Sequence, residues 1–185
     1  MFRSIRLTGF VLALLGTAFQ LPAATSAGTA CAHPESRQFD FWVGNWEVYD
    51  RAAPQQVVAH VDVERILGGC VLHERYSDVN GLKGESFSIY DATRKVWHQS
   101  WVTNRGQLLT VEGQRHGKTV TLRGVEIRNG AKFVTQVSWA PLGDGSVREW
   151  SARSPDGGKT WQPWFDLIFR PATASAGSGA GAGVL

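Results

Sequence analysis

The 185-residue sequence has few of the motifs by which enzyme classes are recognised. It contains neither His-Glu-x-x-His nor a Cys-x-x-Cys pair, so we expect no metal site. It also lacks a glycine-rich phosphate loop ahead of a helix and a Gly-x-Ser-x-Gly elbow. We therefore expect no cofactor, and the sequence indicates an architecture more clearly than a reaction.

Net charge is also low. The 19 basic and 16 acidic side chains give a formal charge of +3, and two of the basic ones, Arg3 and Arg6, lie in a segment that we expect to be removed. The remaining charge of +1 produces no long-range field that would attract phosphates or anionic lipids. We therefore expect no nucleic-acid partner.

No apolar run is long enough to span a bilayer as a helix. The longest, residues 7–19, falls short of the roughly 20 residues that a spanning helix needs. It follows Arg3 and Arg6 and precedes small residues, which predicts a signal peptide over residues 1–30 and cleavage after Ala24, Ala27 or Ala30. We expect a periplasmic or secreted protein with no integral membrane segment after processing; an uncleaved anchor is the alternative.

Only two cysteines are present, Cys31 and Cys70. In an oxidising compartment they can form a disulfide between the mature N-terminus and the strand that begins near Cys70. Lipidation of Cys31 is an alternative, although Gly28 stands where lipoproteins usually carry leucine. Two unpaired thiols are the other alternative.

Glycine and aromatic residues are abundant, with 21 Gly, eight Trp and nine Phe. Turn signals such as Asn80-Gly81 and Asn129-Gly130 recur through residues 44–170 and separate ten segments rich in β-branched and aromatic residues. No segment shows a sustained helical period with a cap. We predict an all-β domain over residues 31–170, followed by a flexible Ala/Gly/Ser tail over 171–185.

The hairpin succession predicts an up-and-down antiparallel β-barrel of about ten strands. An open sheet of this size would expose two edges and a large face, which closure removes. A barrel of this width also encloses a cavity. A two-sheet sandwich is the alternative.

The segment Phe39-Asp40-Phe41-Trp42-Val43-Gly44-Asn45-Trp46 resembles the Gly-x-Trp signature of lipocalin and calycin barrels. With Gly68-Gly69-Cys70-Val71-Leu72-His73-Glu74 and Trp97-His98-Gln99-Ser100-Trp101, the chain is similar to a family of bacterial exported proteins of unknown function with a lipocalin-like fold. The resemblance implies a short 3₁₀ turn at one barrel end, an inward Trp46, and Arg170 stacked on that indole.

Residues 154–161, Ser-Pro-Asp-Gly-Gly-Lys-Thr-Trp, match the Asp-box of sialidase propellers. A propeller needs several copies of such a motif, and we find one. We expect a hairpin turn in which Asp156 binds backbone amides, with no glycosidase activity.

Alternation of side chains along the strands predicts the cavity wall. On each strand, one of the two alternating sets of side chains is more apolar. If that set faces inward, three neighbouring strands place polar side chains among aromatic ones in the cavity wall. The predicted ligand-binding residues are Glu74, Tyr76, Glu85, Phe87, Trp97, Gln99 and Trp101.

Three functions are compatible with this wall. The first is binding of a small apolar or aromatic molecule. The second is a small hydrolase or isomerase in which Glu74 and Glu85 act as general acid and base. The third is haem binding by analogy with ten-stranded nitrobindin-like barrels, which requires an inward histidine; none of the five has a strong claim to that position.

Overall fold

Ten strands follow one another in sequence order around a closed antiparallel barrel, in which β1 pairs with both β2 and β10. The strands are β1 (Gly44–Asp50), β2 (Ala53–Ile66), β3 (Val71–Asp78), β4 (Lys83–Asp91), β5 (Val96–Thr103), β6 (Leu108–His116), β7 (Thr119–Arg128), β8 (Ala131–Pro141), β9 (Val147–Ser154) and β10 (Gln162–Pro171). The predicted barrel is confirmed, and the sandwich alternative is wrong.

The computed structural model describes residues 31–173. The predicted signal peptide lies outside the described residues, as does the predicted tail from residue 174 onward. In the part of the chain that is described, no helix is long and apolar enough to cross a membrane.

One end of the barrel is closed by aromatic side chains. A 3₁₀ helix, Asp40–Trp42, lies across this end, and the preceding Phe39 packs 5.1 Å from the ring of Trp42 and 5.1 Å from that of Trp139. Trp46 points inward and donates its indole N–H to the carbonyl of Trp42 at 3.0 Å. The predicted 3₁₀ turn and the inward Trp46 are confirmed. We call this cluster the aromatic plug; its members are Phe39, Trp42, Trp46, Trp97, Trp139 and Phe169.

A disulfide fixes the segment that carries the plug. Cys31 is bonded to Cys70, at the start of β3, as the sequence predicted. A paired Cys31 is not free to carry a lipid, so the lipoprotein alternative is wrong, as is that of two unpaired thiols. Arg65 adds a second attachment: it pairs with Asp40 and donates to the carbonyl of Ser36 at 3.0 Å.

Arg170 does not stack on Trp46, contrary to the prediction. Phe169 is buried inside the barrel, so its neighbour Arg170 points outward. The guanidinium lies 4.2 Å from the centre of the Tyr49 ring and donates to the carbonyl of Pro54 at 3.0 Å. Trp46 packs instead against Phe169, with 6.4 Å between the ring centres.

The β9–β10 hairpin has the predicted Asp-box geometry. The Asp156 carboxylate accepts the backbone N–H of Lys159 at 3.0 Å and that of Thr160 at 2.9 Å. These bonds hold the pKa of Asp156 well below its usual range. The motif therefore serves as a turn.

The β6–β7 ladder covers only the half nearest the plug. Among the described residues, 112–116 pair with 119–123, and the register does not continue to the other end. Gly124 lies where it stops, and a Cβ there would collide with the carbonyl oxygen of Thr110. We call residues 108–111 and 124–128 the β6–β7 seam. Its outer side chains Leu108, Val125 and Ile127 are exposed.

Candidate functional site

The barrel interior beyond the plug is lined by side chains that point inward and yet keep part of their surface accessible. Opposed residues on neighbouring strands share a face, so the register identifies these inward side chains. From this partial exposure we infer open space inside the barrel beyond the plug. They are Tyr76, Trp101, Leu109, Glu149, Phe165 and Leu167. We call the space that they enclose the lumen.

Five of the seven predicted ligand-binding residues point into the barrel. Glu74 and Gln99 are buried there, and Tyr76 lies edge-on to Trp101 with 5.7 Å between ring centres. Trp97 also points inward, but it is fully buried beside Phe39 and donates to Gln38, so its contacts are with the plug region. Ligand binding by these residues stays a prediction.

The predicted inward face of Glu85 and Phe87 is wrong. Ser86 lies opposite Glu74 in the β3–β4 ladder, so Ser86 and Ser88 face inward and the odd-numbered residues of β4 face outward. The error arose because Phe87 is apolar and the serines are polar. The strand register places the serines inside the barrel instead, where their small side chains hydrogen-bond to Glu74 and Gln99.

Glu85 and Phe87 belong to the outer wall. The Glu85 carboxylate lies 2.7 Å from Nε2 of His73, and Phe87 stacks on that imidazole with 4.8 Å between ring centres. Both residues also line a surface groove of about 490 Å³. The predicted Glu74–Glu85 pair therefore does not form.

Among the described residues, Glu74 is one of two inward carboxyl groups without a basic partner; a third, Glu126, is paired with Arg153. Its Oε2 accepts the Ser86 hydroxyl at 2.7 Å, and Gln99 donates to Ser86 at 3.3 Å and to Ser88 at 3.1 Å. The Glu74 side chain is only 5% exposed. Removal from water disfavours its ionised form and raises its pKa to about 7, although the Ser86 bond partly opposes the rise.

Glu149 is the second inward carboxyl group without a basic partner, and the sequence did not single it out. On β9, one set of alternating side chains contains Val147 and Glu149, and the other contains Arg148 and Trp150. Each set mixes an apolar and a charged residue, so the sequence does not show which set faces inward. The β8–β9 ladder places Glu149 opposite the buried Trp139 and so points it inward. Burial, and then the negative charge of Glu74, raise the pKa of Glu149 well above its usual range.

The indole N–H of Trp139 adjoins Glu149 without completing a hydrogen bond to it. The indole is fully buried, and its nitrogen has no partner in good geometry. Its closeness still lowers the pKa of Glu149 slightly, against the larger effects of burial and of Glu74. Trp139 thus offers the lumen an unused donor beside a carboxyl group.

No basic side chain neutralises this carboxyl pair. In the described chain, neither Glu74 nor Glu149 has an Arg, Lys or His nitrogen within 4.0 Å. Arg153 also points inward, but its Nε binds Glu126 at 2.5 Å, and the same carboxylate accepts the Thr135 hydroxyl. Arg128 has the same inward parity near the far end of β7, and it pairs with neither carboxyl group.

The barrel presents no histidine to the lumen. His60, His73 and His98 alternate with inward residues on their strands and so lie on the outer wall, and His33 and His116 are exposed at the plugged end. Within residues 31–173, no three His, Cys, Asp or Glu side chains are grouped to hold a metal ion. The haem interpretation, which needs an inward histidine, gains no support.

No family model matches the chain, and no curated protein matches it in sequence.

Proposed function

We propose that this protein is an exported binding protein that holds one small, mostly apolar molecule in the barrel lumen. The observation that carries the proposal is the partly accessible inward wall beyond the plug, where Tyr76, Trp101 and Phe165 supply aromatic surface. Ligand sites combine such apolar walls with a few polar groups at defined positions. Glu74 and Glu149 are those polar groups.

The disulfide supports export, because such bonds persist in oxidising compartments and are rare in the cytosol. We place the mature protein in the periplasm or outside the cell. Intact-mass measurement of the protein expressed from its full sequence tests this proposal. A mature chain that begins between residues 25 and 31 supports it, and a chain that retains residues 1–24 refutes it.

Ligand binding is tested with N-phenyl-1-naphthylamine, a neutral dye whose fluorescence rises in apolar cavities. Two adjacent leucines on β6 give a matched pair of variants: Leu109 points into the lumen, and Leu108 is exposed outside. We expect Leu109→Trp to fill the lumen and weaken dye binding at least tenfold, while Leu108→Trp leaves it unchanged. Equal binding by both variants would exclude the lumen as the site.

Acid–base catalysis is a second candidate, favoured by one observation. A Glu74 pKa of about 7 lies near the pH at which a general acid or base works best. The reaction would be hydrolysis or isomerisation of a small substrate, with Glu149 in place of the predicted Glu85. Recovery of the bound molecule after prolonged incubation tests this candidate: an unchanged mass and isomer composition supports binding alone.

A further inference from the structure

The inward carboxyl groups bear on the chemistry of the ligand. Glu74 on β3 and Glu149 on β9 project from walls that lie four strands apart around the ten-stranded barrel. Each is close enough to affect the other's ionisation, since the charge of Glu74 contributes to the behaviour of Glu149. Two carboxylates in one water-poor space repel each other and favour any cation that enters between them.

The unused donor on Trp139 is an independent indication. A buried N–H without a partner is costly, and the acceptor beside it is the carboxyl group of Glu149. That carboxyl group accepts most strongly when it is ionised, and ionisation inside the barrel requires a positive charge nearby. Neither inward arginine supplies that charge, since Arg153 is paired with Glu126 and Arg128 lies over Trp164, so a bound cation would supply it.

The surrounding wall determines which kind of cation fits. Tyr76 and Trp101 pack edge to face, and both point inward and keep part of their surface accessible. Aromatic rings attract organic ammonium groups through their faces. A hard metal ion needs six or more oxygen ligands, and the described residues bring no third acidic side chain to this pair. The wall therefore suits an amine with an apolar body.

We propose that the ligand carries a protonated amine, which lies between the carboxylates of Glu74 and Glu149, with its aromatic or aliphatic part against Tyr76 and Trp101. This inference rests on the proposed function, because it assumes that the lumen is the binding site. In the occupied state, both carboxylates are ionised, Ser86 donates to Glu74, and Trp139 donates to Glu149.

The inference is tested by calorimetry on the disulfide-bonded protein with three probes of one shape and different charge. These are 2-phenylethylammonium, 2-phenylethanol and phenylacetate. At pH 7 we expect the cation to bind at least tenfold more tightly than the alcohol, and the anion to bind most weakly. We expect Glu74→Gln and Glu149→Gln each to abolish the preference, while Glu85→Gln, which changes an outer carboxylate, preserves it.

Proton release gives a second readout. The other titratable groups on the inward face are Tyr76 on the wall, and Arg128 and the Glu126–Arg153 ion pair toward the far end; Tyr90 packs on Trp97 at the plugged end. Glu74, with a pKa of about 7, is partly protonated at pH 7 in the empty protein, so binding of the cation should release protons, whereas binding of the alcohol should not. Calorimetry in two buffers of different ionisation enthalpy counts the protons, and Glu149→Gln should reduce the number.

The outcomes separate the inference from the proposed function. If the alcohol binds as tightly as the cation and neither releases protons, the amine inference is wrong and lumen binding stands. If neither these probes nor the naphthylamine dye binds in the lumen, both proposals fail. Calcium binding with the same sensitivity to Glu74→Gln and Glu149→Gln would also overturn the amine assignment.

Discussion

Glu149 on β9 lies directly opposite Trp139 on β8, inside the barrel, where a carboxyl group adjoins an indole N–H that has no hydrogen-bond partner. Trp139 also packs against Phe39, at a distance of 5.1 Å between ring centres. This one residue therefore joins the aromatic plug to the lumen.

The inward carboxyl pair should make stability fall as pH rises. An acid whose pKa is raised on folding binds more protons in the native state than in the unfolded state, so its stabilising contribution is complete below the unfolded value and is lost as pH rises through the folded one. For Glu74 this window runs from 4.5 to about 7. We expect the free energy of unfolding to decrease by roughly 2–3 kcal/mol across it.

Urea unfolding at pH 5 and at pH 8 measures this dependence. We expect Glu74→Gln to remove much of the decrease and to be more stable than the unsubstituted protein at pH 8. Glu85→Gln is the control, because Glu85 is exposed on the outer wall. A decrease of the same size in the Glu74→Gln protein would show that this carboxyl group is not the source.

Gly84 and Trp101 should show strong energetic coupling. A Cβ at position 84 would collide with two ring carbons of Trp101, so only glycine lets the indole lie across β4. We expect Gly84→Ala to destabilise the protein by about 1–3 kcal/mol through overpacking. In the Trp101→Leu background the smaller side chain leaves room, so the cost of Gly84→Ala should largely disappear.

A double-mutant cycle by thermal unfolding measures that coupling. Replacement of Lys83 by alanine serves as the control on the same strand, since its side chain is exposed. Additive effects of Gly84→Ala and Trp101→Leu would contradict the predicted contact.

The disulfide should contribute substantially to stability. Cys31 and Cys70 are 39 residues apart in the sequence, and the chain-entropy model gives about 4 kcal/mol for closing a loop of this size. We expect the Cys31→Ser/Cys70→Ser double variant to lose roughly that amount in denaturant unfolding. Labelling of the denatured, unreduced protein should find no free thiol, and two reactive thiols would contradict the bond.

The β6–β7 seam should open more readily than the rest of the barrel. Residues 108–111 and 124–128 have ladder partners on one side only, whereas 119–123 are paired on both sides. Backbone amides without a ladder partner exchange with solvent faster. We expect alternate amides of residues 108–111 and 124–128 to exchange faster than those of 119–123, as measured by NMR-detected hydrogen exchange. Uniform protection along β7 would refute this expectation.

The sequence alone determined the strand succession, the closure of the barrel, the 3₁₀ turn and the disulfide. The strand succession and its closure follow from Asn-Gly turns and two-residue alternation, and the disulfide from two cysteines behind a predicted signal peptide. The 3₁₀ turn was implied by the resemblance of residues 39–46 to calycin barrels. The inward direction of Glu74 also followed from alternation, because Leu72 and Tyr76 mark the apolar parity of β3.

Tertiary structure alone decided which carboxyl group accompanies Glu74. On β4 the apolar residues Phe87 and Ile89 face outward, so hydrophobicity predicted the wrong inward face. On β9 each alternating set of side chains contains both apolar and charged residues, so hydrophobicity predicted no inward face. Register fixes the face, since a shift of one residue turns every side chain of a strand to the other side. Register depends on pairing with neighbouring strands around the barrel, and so it brought Glu149 rather than Glu85 into the lumen.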